Sequence, residues 1–342
     1  MIRRPTAKRN LKAAAARSKL LDYLCLVAKT ALQTAGVLDC VPPGARLAIV
    51  RLRSMGDCVL TTPAVALLKQ ARPDLEIGVV VEERFAGIFD GNPDVATVLP
   101  PSAGRISRWR PWLCLNLHGG TRSQWLTLAS RARIRAGFGH HRGASLYHVR
   151  IPRAQQIYGA EKPFHTAEQL ASAMFFLGVP LSEIPPARLF ARPLVAERPY
   201  AVIHPAAAMA YKTWPAKGFL EVAAHLQRRW GLDPVFIGAS SDNLAPFSRY
   251  RVVQGASLDV LKSLLASATI FVGNDSGPAH VACALGVAVV VLYGRTEHEI
   301  HWAPWRARAA RTLSDARGIA AIPAARVIAA VDDLAGLILP GV

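Results

Sequence analysis

Val272-Gly273-Asn274-Asp275-Ser276-Gly277-Pro278-Ala279-His280 joins an apolar run, residues 269–272, to a helical segment, residues 278–285. A buried strand turning directly into a helix is the repeating unit of a parallel α/β sheet. In such sheets ligands bind just beyond the carboxyl ends of the strands. The helix start offers unpaired backbone N–H groups and the positive end of the dipole, which suits a diphosphate. Ser276 adds a hydroxyl donor, Gly277 permits close backbone approach, and His280 lies one turn along. Taken alone, the segment is equally an ordinary strand-to-helix turn with a good cap.

The same alternation extends outward on both sides. Gly286 stands where a helix ends, and residues 287–293 read as the next strand. Upstream come a strand over 200–204, a helix over 217–230, a strand over 234–238 and a helix over 258–268. Before them the proline-punctuated stretch 185–199 reads as a linker. The first half repeats the pattern: a strand over 46–52, a loop holding Gly56-Asp57, and a helix over 63–71 with Thr62 as cap and Pro63 at its first position. Residues 77–81, 97–99 and 113–117 are further strands, with a helix around 83–89. The expected organisation is a basic helical extension over 1–45, one Rossmann-like unit over 46–190 and a second over 199–342. The C-terminal helix is free to pack back on the first unit. Two α/β halves joined by a linker place a cleft between them, where such folds bind ligands.

Two more strand-end loops carry chemistry. His204-Pro205-Ala206-Ala207-Ala208 is followed by Lys212-Thr213-Trp214-Pro215, and a lysine there can neutralise a leaving diphosphate. Arg53-Ser54-Met55-Gly56-Asp57 puts a carboxylate on the opposite wall. That carboxylate can take a proton from an acceptor hydroxyl, or simply tie down loop amides near the following helix.

The net charge of +18 is concentrated in the first half. Residues 1–160 hold 24 Lys/Arg against 9 Asp/Glu, and residues 161–342 hold 17 against 14. No carboxylate lies between Asp94 and Glu161, where ten arginines do. A one-signed face attracts anionic partners. Nucleic acid would satisfy that charge, but no recognised binding motif accompanies it. The five cysteines have no paired spacing, which excludes a disulfide framework or zinc site and fits a reducing compartment. No apolar run is long enough to span a bilayer. Seven Lys/Arg in the first 20 residues precede an apolar pattern through Leu20, Leu24, Val27 and Ala31, with Asp22 and Lys29 on the other face. Those charges exclude a signal peptide. A basic amphipathic helix over 1–35 lying on an anionic membrane and a plain packing helix both satisfy the pattern. No Gly-x-Gly-x-x-Gly follows any strand, which disfavours a nicotinamide-dependent dehydrogenase.

In combination and order, these loops resemble glycosyltransferase family 9, the ADP-heptose:lipopolysaccharide heptosyltransferases. Gly56-Asp57 after the first strand, His204-Pro205 with Lys212-Thr213-Trp214-Pro215, and Asp275-Ser276-Gly277-Pro278-Ala279-His280 carry the likeness. Leu115-Asn116-Leu117-His118-Gly119-Gly120-Thr121-Arg122-Ser123 and Tyr293-Gly294-Arg295-Thr296 extend it over residues 46–310. The resemblance implies an α/β architecture of two Rossmann-like domains facing a cleft, the GT-B type. It implies an inverting glycosyl transfer, with neither metal nor covalent intermediate, from a nucleotide-diphospho-sugar such as ADP-heptose to an anionic, lipid-linked glycan acceptor. The enzyme would be cytoplasmic, on the inner face of the inner membrane.

On the family pattern Asp57 matches the general base, Lys212 the donor phosphate contact, and Asp275, Ser276, Gly277, His280 and Thr296 the donor loops. Asp242 stands where some members carry a glutamate for the nucleotide ribose. Because the implied acceptor is anionic, the arginine-rich interval between Asp94 and Glu161 supplies the acceptor candidates, His118, Arg122 and Arg142. Ala206–Ala208 replaces the family's usual hydroxyl or glycine residues. A UDP-sugar transferase or epimerase of the same fold, and a catalytically silent binding relative, remain alternatives.

Overall fold

A computed structural model describes residues 36–339. The expected amphipathic helix of the N-terminal extension lies outside the described residues. Two all-parallel six-stranded sheets organise the chain. The first contains β1 (Arg46–Val50), β2 (Glu76–Val80), β3 (Thr97–Leu99), β4 (Leu113–Asn116), β5 (Ile134–Phe138) and β6 (Val149–Ile151), in the order β3-β2-β1-β4-β5-β6. The second contains β7 (Tyr200–His204), β8 (Asp233–Gly238), β9 (Arg251–Gln254), β10 (Ile270–Asn274), β11 (Ala288–Tyr293) and β12 (Ala310–Ser314), in the order β12-β11-β10-β7-β8-β9. Both sheets therefore reverse direction between their first and fourth strands. That switch point leaves a crevice beyond the strand ends.

Central strands β1, β7, β10 and β11 are apolar and almost wholly buried, as parallel strands covered on both faces must be. Two helices carry the site. α1 (Met55–Ala71) leaves the end of β1, and α8 (Gly277–Ala284) leaves the end of β10. Between them the described chain forms α2 (Ala103–Trp109), α3 (Thr121–Ala129), α4 (Ala154–Tyr158), α5 (Thr166–Leu177), α6 (Ala216–Trp230) and α7 (Leu258–Ala266). Beyond α8 come α9 (Thr296–Trp302) and α10 (Ala324–Ile338).

Three expectations need correction. The first helix starts at Met55 with Ser54 as cap, so Pro63 lies inside it and Thr62 is no cap. An interior proline leaves the carbonyl four residues back without its N–H partner. Here the Thr62 hydroxyl donates to that carbonyl, Val59 O, at 2.8 Å and repairs the loss. The segment Glu83–Ile88 forms a 3₁₀ helix. α10 packs on the second sheet rather than back on the first: Val327, Val331 and Leu334 are buried in one core with Phe219, Leu226 and Leu292.

The return contact comes instead from the segment after α9. His165 Nε2 meets Ala303 O at 2.9 Å and its ring stacks on Trp305, while Trp305 Nε1 donates to Pro185 O at 2.9 Å. Among the described residues no helix is long and apolar enough to cross a membrane.

Candidate functional site

Both switch points open toward one cleft, and α1 and α8 meet there end to end. A Cβ on Gly56 would lie 2.6 Å from His280 Cδ2, and one on Gly277 would lie 2.8 Å from Met55 Cβ. Each glycine is thus the gap into which the facing helix fits. The closeness expected of Gly277 is used by Met55 of the opposite wall.

On the first wall, Asp57 Oδ2 accepts the Ser54 N–H at 3.3 Å and the Ser54 hydroxyl at 3.1 Å. The carboxylate does cap its helix, and it also faces the cleft. It lines a space of about 250 Å³ together with Lys212, Asp275, Ser276, His280 and Trp302. Its Oδ1 makes no hydrogen bond among the described residues, so one oxygen holds the side chain and the other is available to a ligand.

On the second wall, Ser276 caps α8, and its Oγ lies 3.0 Å from His204 Nδ1. No acidic residue occupies the first turn of α8, but Asp275 directly precedes its cap; Pro278 has no N–H and Ala279 N donates to Ser276 O at 3.2 Å, which leaves the Ser276 and Gly277 amides beside the cleft. Lys212 Nζ sits 2.6 Å from Asp275 Oδ2, and Asp275 is buried. The pair gives the lysine a fixed position beside the helix start. Buried Asn274 ties the loops together: its Oδ1 accepts from Trp214 N at 3.2 Å and its Nδ2 donates to Pro205 O at 2.8 Å. Burial pulls the His204 imidazole down to about 4 and also lowers His280, which Asp275 and Asp57 partly hold up. Both rings are neutral near neutral pH.

A larger cleft of about 610 Å³ runs from this helix start across the second sheet. Its wall takes in Ala206–Ala208, Tyr211, Ile237, Val253 and Leu261, a largely apolar lining. Asp242 lines it, but Asp242 Oδ2 accepts Ala239 N at 2.7 Å and closes its own turn. Thr296 lines none of these spaces. Thr296 is exposed at the start of α9, where Arg295 lies over the Tyr211 ring at the cleft wall, and it is Trp302, at the far end of α9, that lines the 250 Å³ space.

Asp57 and Trp302 also border a third space, about 410 Å³, on the first-sheet side. Of the acceptor candidates only His118 lies there. Arg122 is exposed and paired with Glu82 at 3.1 Å, and Arg142 is exposed, its backbone carbonyl accepting from Gln124. The residues that sequence reading missed are Arg51, His140, His141 and Arg153. Arg51 is only 7% exposed, yet no carboxylate lies within ion-pairing distance of it among the described residues. Its Nε and His118 Nδ1 are buried without a hydrogen-bond partner. Burial lowers the Arg51 guanidinium, while Asp57 and Cys58 hold it up. Burial lowers His118, and Arg51 and Arg53 lower it further. A buried arginine without an ion-pair partner is costly, and the charge that chiefly offsets it is Asp57, on the same space. Arg51 stands two residues from the quoted loop, on the strand end itself, and its arginine in an otherwise apolar run was the available signal.

This is the fold of a two-domain glycosyltransferase. Escherichia coli heptosyltransferase WaaC with ADP shares it at a TM-score of 0.71 and 20% identity, covering 84% of this chain and 99% of that one. A family 9 glycosyl transferase from Veillonella parvula gives 0.74 at 21% identity, covering 85% of this chain and 97% of that one. The sequence profile of glycosyltransferase family 9 (heptosyltransferase) matches residues 113–321, and the chain belongs to that family. Lipopolysaccharide heptosyltransferase 3 of Escherichia coli K12 is 27% identical over 289 residues, 74% of this chain and 83% of the relative.

Proposed function

We propose that this chain transfers a heptose from ADP-heptose to an anionic, lipid-linked glycan of the lipopolysaccharide-core type, with inversion and without a metal, at the cytoplasmic face of the inner membrane. The observation that carries the reading is the shared 250 Å³ space in which Asp57 faces Lys212 and the start of α8. The relatives' names, lipopolysaccharide heptosyltransferases, supply the sugar and acceptor class. In this reading the nucleotide fills the cleft along the second sheet and its diphosphate rests on the α8 amides and Lys212. Asp57 Oδ1 takes the proton of the acceptor hydroxyl as that oxygen attacks the anomeric carbon. The sugar–phosphate bond breaks, and the departing ADP carries its electron pair toward fixed positive partial charge. Arg51 supports the anionic character of the acceptor: its buried Nε has no hydrogen-bond partner, and Asp57 offsets its charge without pairing with it. Contact of residues 1–35 with the membrane belongs to the same reading.

The test pairs a thermal-shift panel of ADP, UDP, GDP and NAD with transfer from ADP-heptose to purified core acceptor. ADP should stabilise most, and the wild type should transfer. A larger shift with UDP would move the donor class. Nucleotide binding without transfer to any core acceptor would leave a silent relative.

A further inference from the structure

The outward stripe of α3 does not match the rest of its surface. Residues 122, 125 and 128, three apart and so on one helix face, are Arg122, Trp125 and Leu128, whereas Ser123, Gln124, Leu126 and Thr127 are buried. Trp125 is 60% exposed and Leu128 42%. Beside them, in the 3₁₀ turn Ala144–Leu146 that packs against α3, Leu146 is 37% exposed. A large aromatic is seldom left this open without a partner. These side chains lie within the interval that has no carboxylate between Asp94 and Glu161. Arg122 is paired with Glu82 at 3.1 Å, while Arg131 and Arg142 flank the stripe and make no ion pair among the described residues. A tryptophan with leucines inside an arginine-rich surround is the composition that settles at the headgroup level of an anionic bilayer.

The position fits as well as the composition. The loop before α3 carries His118, and the loop before the 3₁₀ turn carries His140 and His141, all on the 410 Å³ space beside Asp57. A Cβ on Gly119 would lie 2.5 Å from the His141 ring, so the two loops are in contact. We infer that α3 and the Ala144–Leu146 turn form a membrane-docking face that holds the acceptor space against an anionic lipid surface. The inference rests on the lipid-linked reading of the acceptor, and it adds the folded first unit to the membrane contact proposed for residues 1–35.

The full-length chain is mixed with phosphatidylethanolamine–phosphatidylglycerol vesicles, some with brominated acyl chains, and with phosphatidylcholine vesicles as reference. The chain should sediment with the anionic vesicles, less so as salt rises, and its tryptophan emission should be quenched by the brominated lipid. Trp125→Ser with Leu128→Ser should lower the vesicle partition about tenfold. Trp125→Phe should keep the partition and lose part of the quenching. On a delipidated, water-soluble acceptor the double variant should turn over like the wild type, while transfer to vesicle-embedded acceptor falls. Unchanged sedimentation of the double variant, with quenching intact in Trp125→Phe, overturns the inference. So does a concentration-dependent dimer that the double variant loses while vesicles bind neither protein, for the face would then bind a second copy. Vesicle binding that follows the expected pattern, with no transfer by the wild type to either acceptor, would sink the transferase reading and leave the docking face standing.

Discussion

The two helices that meet across the cleft are built alike and finished differently. Each follows a central parallel strand at the switch point of its sheet and each is capped by serine, Ser54 or Ser276. At the third helical position the first has Asp57 and the second Ala279. Asp57 answers its own helix end, accepting from the Ser54 N–H and hydroxyl. At α8 nothing acidic occupies the first turn, and the Ser276 hydroxyl is engaged by His204 instead of by the helix. One helix end is therefore neutralised and bears a base. The other has no acid in its first turn, and the Lys212 beside it is held there by Asp275. On the proposed reading, that single position separates the wall that reacts from the wall that binds.

The sharpest way to break that division is Asp57→Asn, which keeps a capping oxygen but removes the base. Turnover should fall by about 10²- to 10⁴-fold while ADP affinity stays within about twofold. Asp57→Ala should add a loss of about 1 kcal/mol of stability from the missing cap. Near-wild-type turnover in the asparagine variant would remove Asp57 from the chemistry. Next in size is Gly56→Ala. Its methyl would need the space of the His280 ring, 2.6 Å away, forcing the walls apart. A displacement of about 1 Å costs roughly 10²-fold in rate, with a stability loss of about 1–3 kcal/mol from overpacking. The check is kcat together with ADP affinity: loss of the first with retention of the second shows that spacing, not the donor site, has changed.

How much of this was legible follows the same division. The strands and helices around Gly56-Asp57 and Asp275–His280 were readable because strand-end turns put glycine, proline and a capping residue in fixed order, a local signal. The start of α1 was misplaced since Pro63 looks like a first-turn residue, and only the Thr62 hydrogen bond to Val59 O shows how the interior tolerates it. The acceptor side was largely unread. Arg51, His140, His141 and Arg153 come from separate strand ends and a short helix, and only the sheet order brings them to one space. Arg122 and Arg142 were picked from a charge run, and charge runs mostly end on the surface, as both do. Trp302 lay outside every motif because its place depends on the contact of residues 303–305 with the first unit.

A smaller effect tests the binding wall. Lys212→Ala removes a charge-assisted contact to the donor, and ADP affinity should drop about tenfold to a hundredfold. It also strands the Asp275 carboxylate, whose side chain is 6% exposed, so the melting temperature should fall too. Adding Asp275→Asn should recover stability without recovering affinity. If the double variant regains both, Lys212 serves the fold and not the diphosphate.

The smallest effect is set by protons on the same wall. His204 is buried and neutral, pulled from its usual 6.5 to about 4 by desolvation. The unfolded chain binds a proton at that residue between these values and the folded chain does not, so stability rises with pH across the window and is lost as pH falls from about 6.5 toward about 4. From pH 7 to about pH 5.5 the cost should be about 1 kcal/mol. The first wall carries histidines of the same kind, His118, His140 and His141, which burial also lowers, so the His204 share has to be isolated by substitution. His204→Asn, compared with wild type in melting temperature against pH, should flatten this part of the profile. If the two curves stay parallel down to about pH 5, the proton is taken up elsewhere, with His165, likewise lowered to about 4 by burial, as the next residue to substitute.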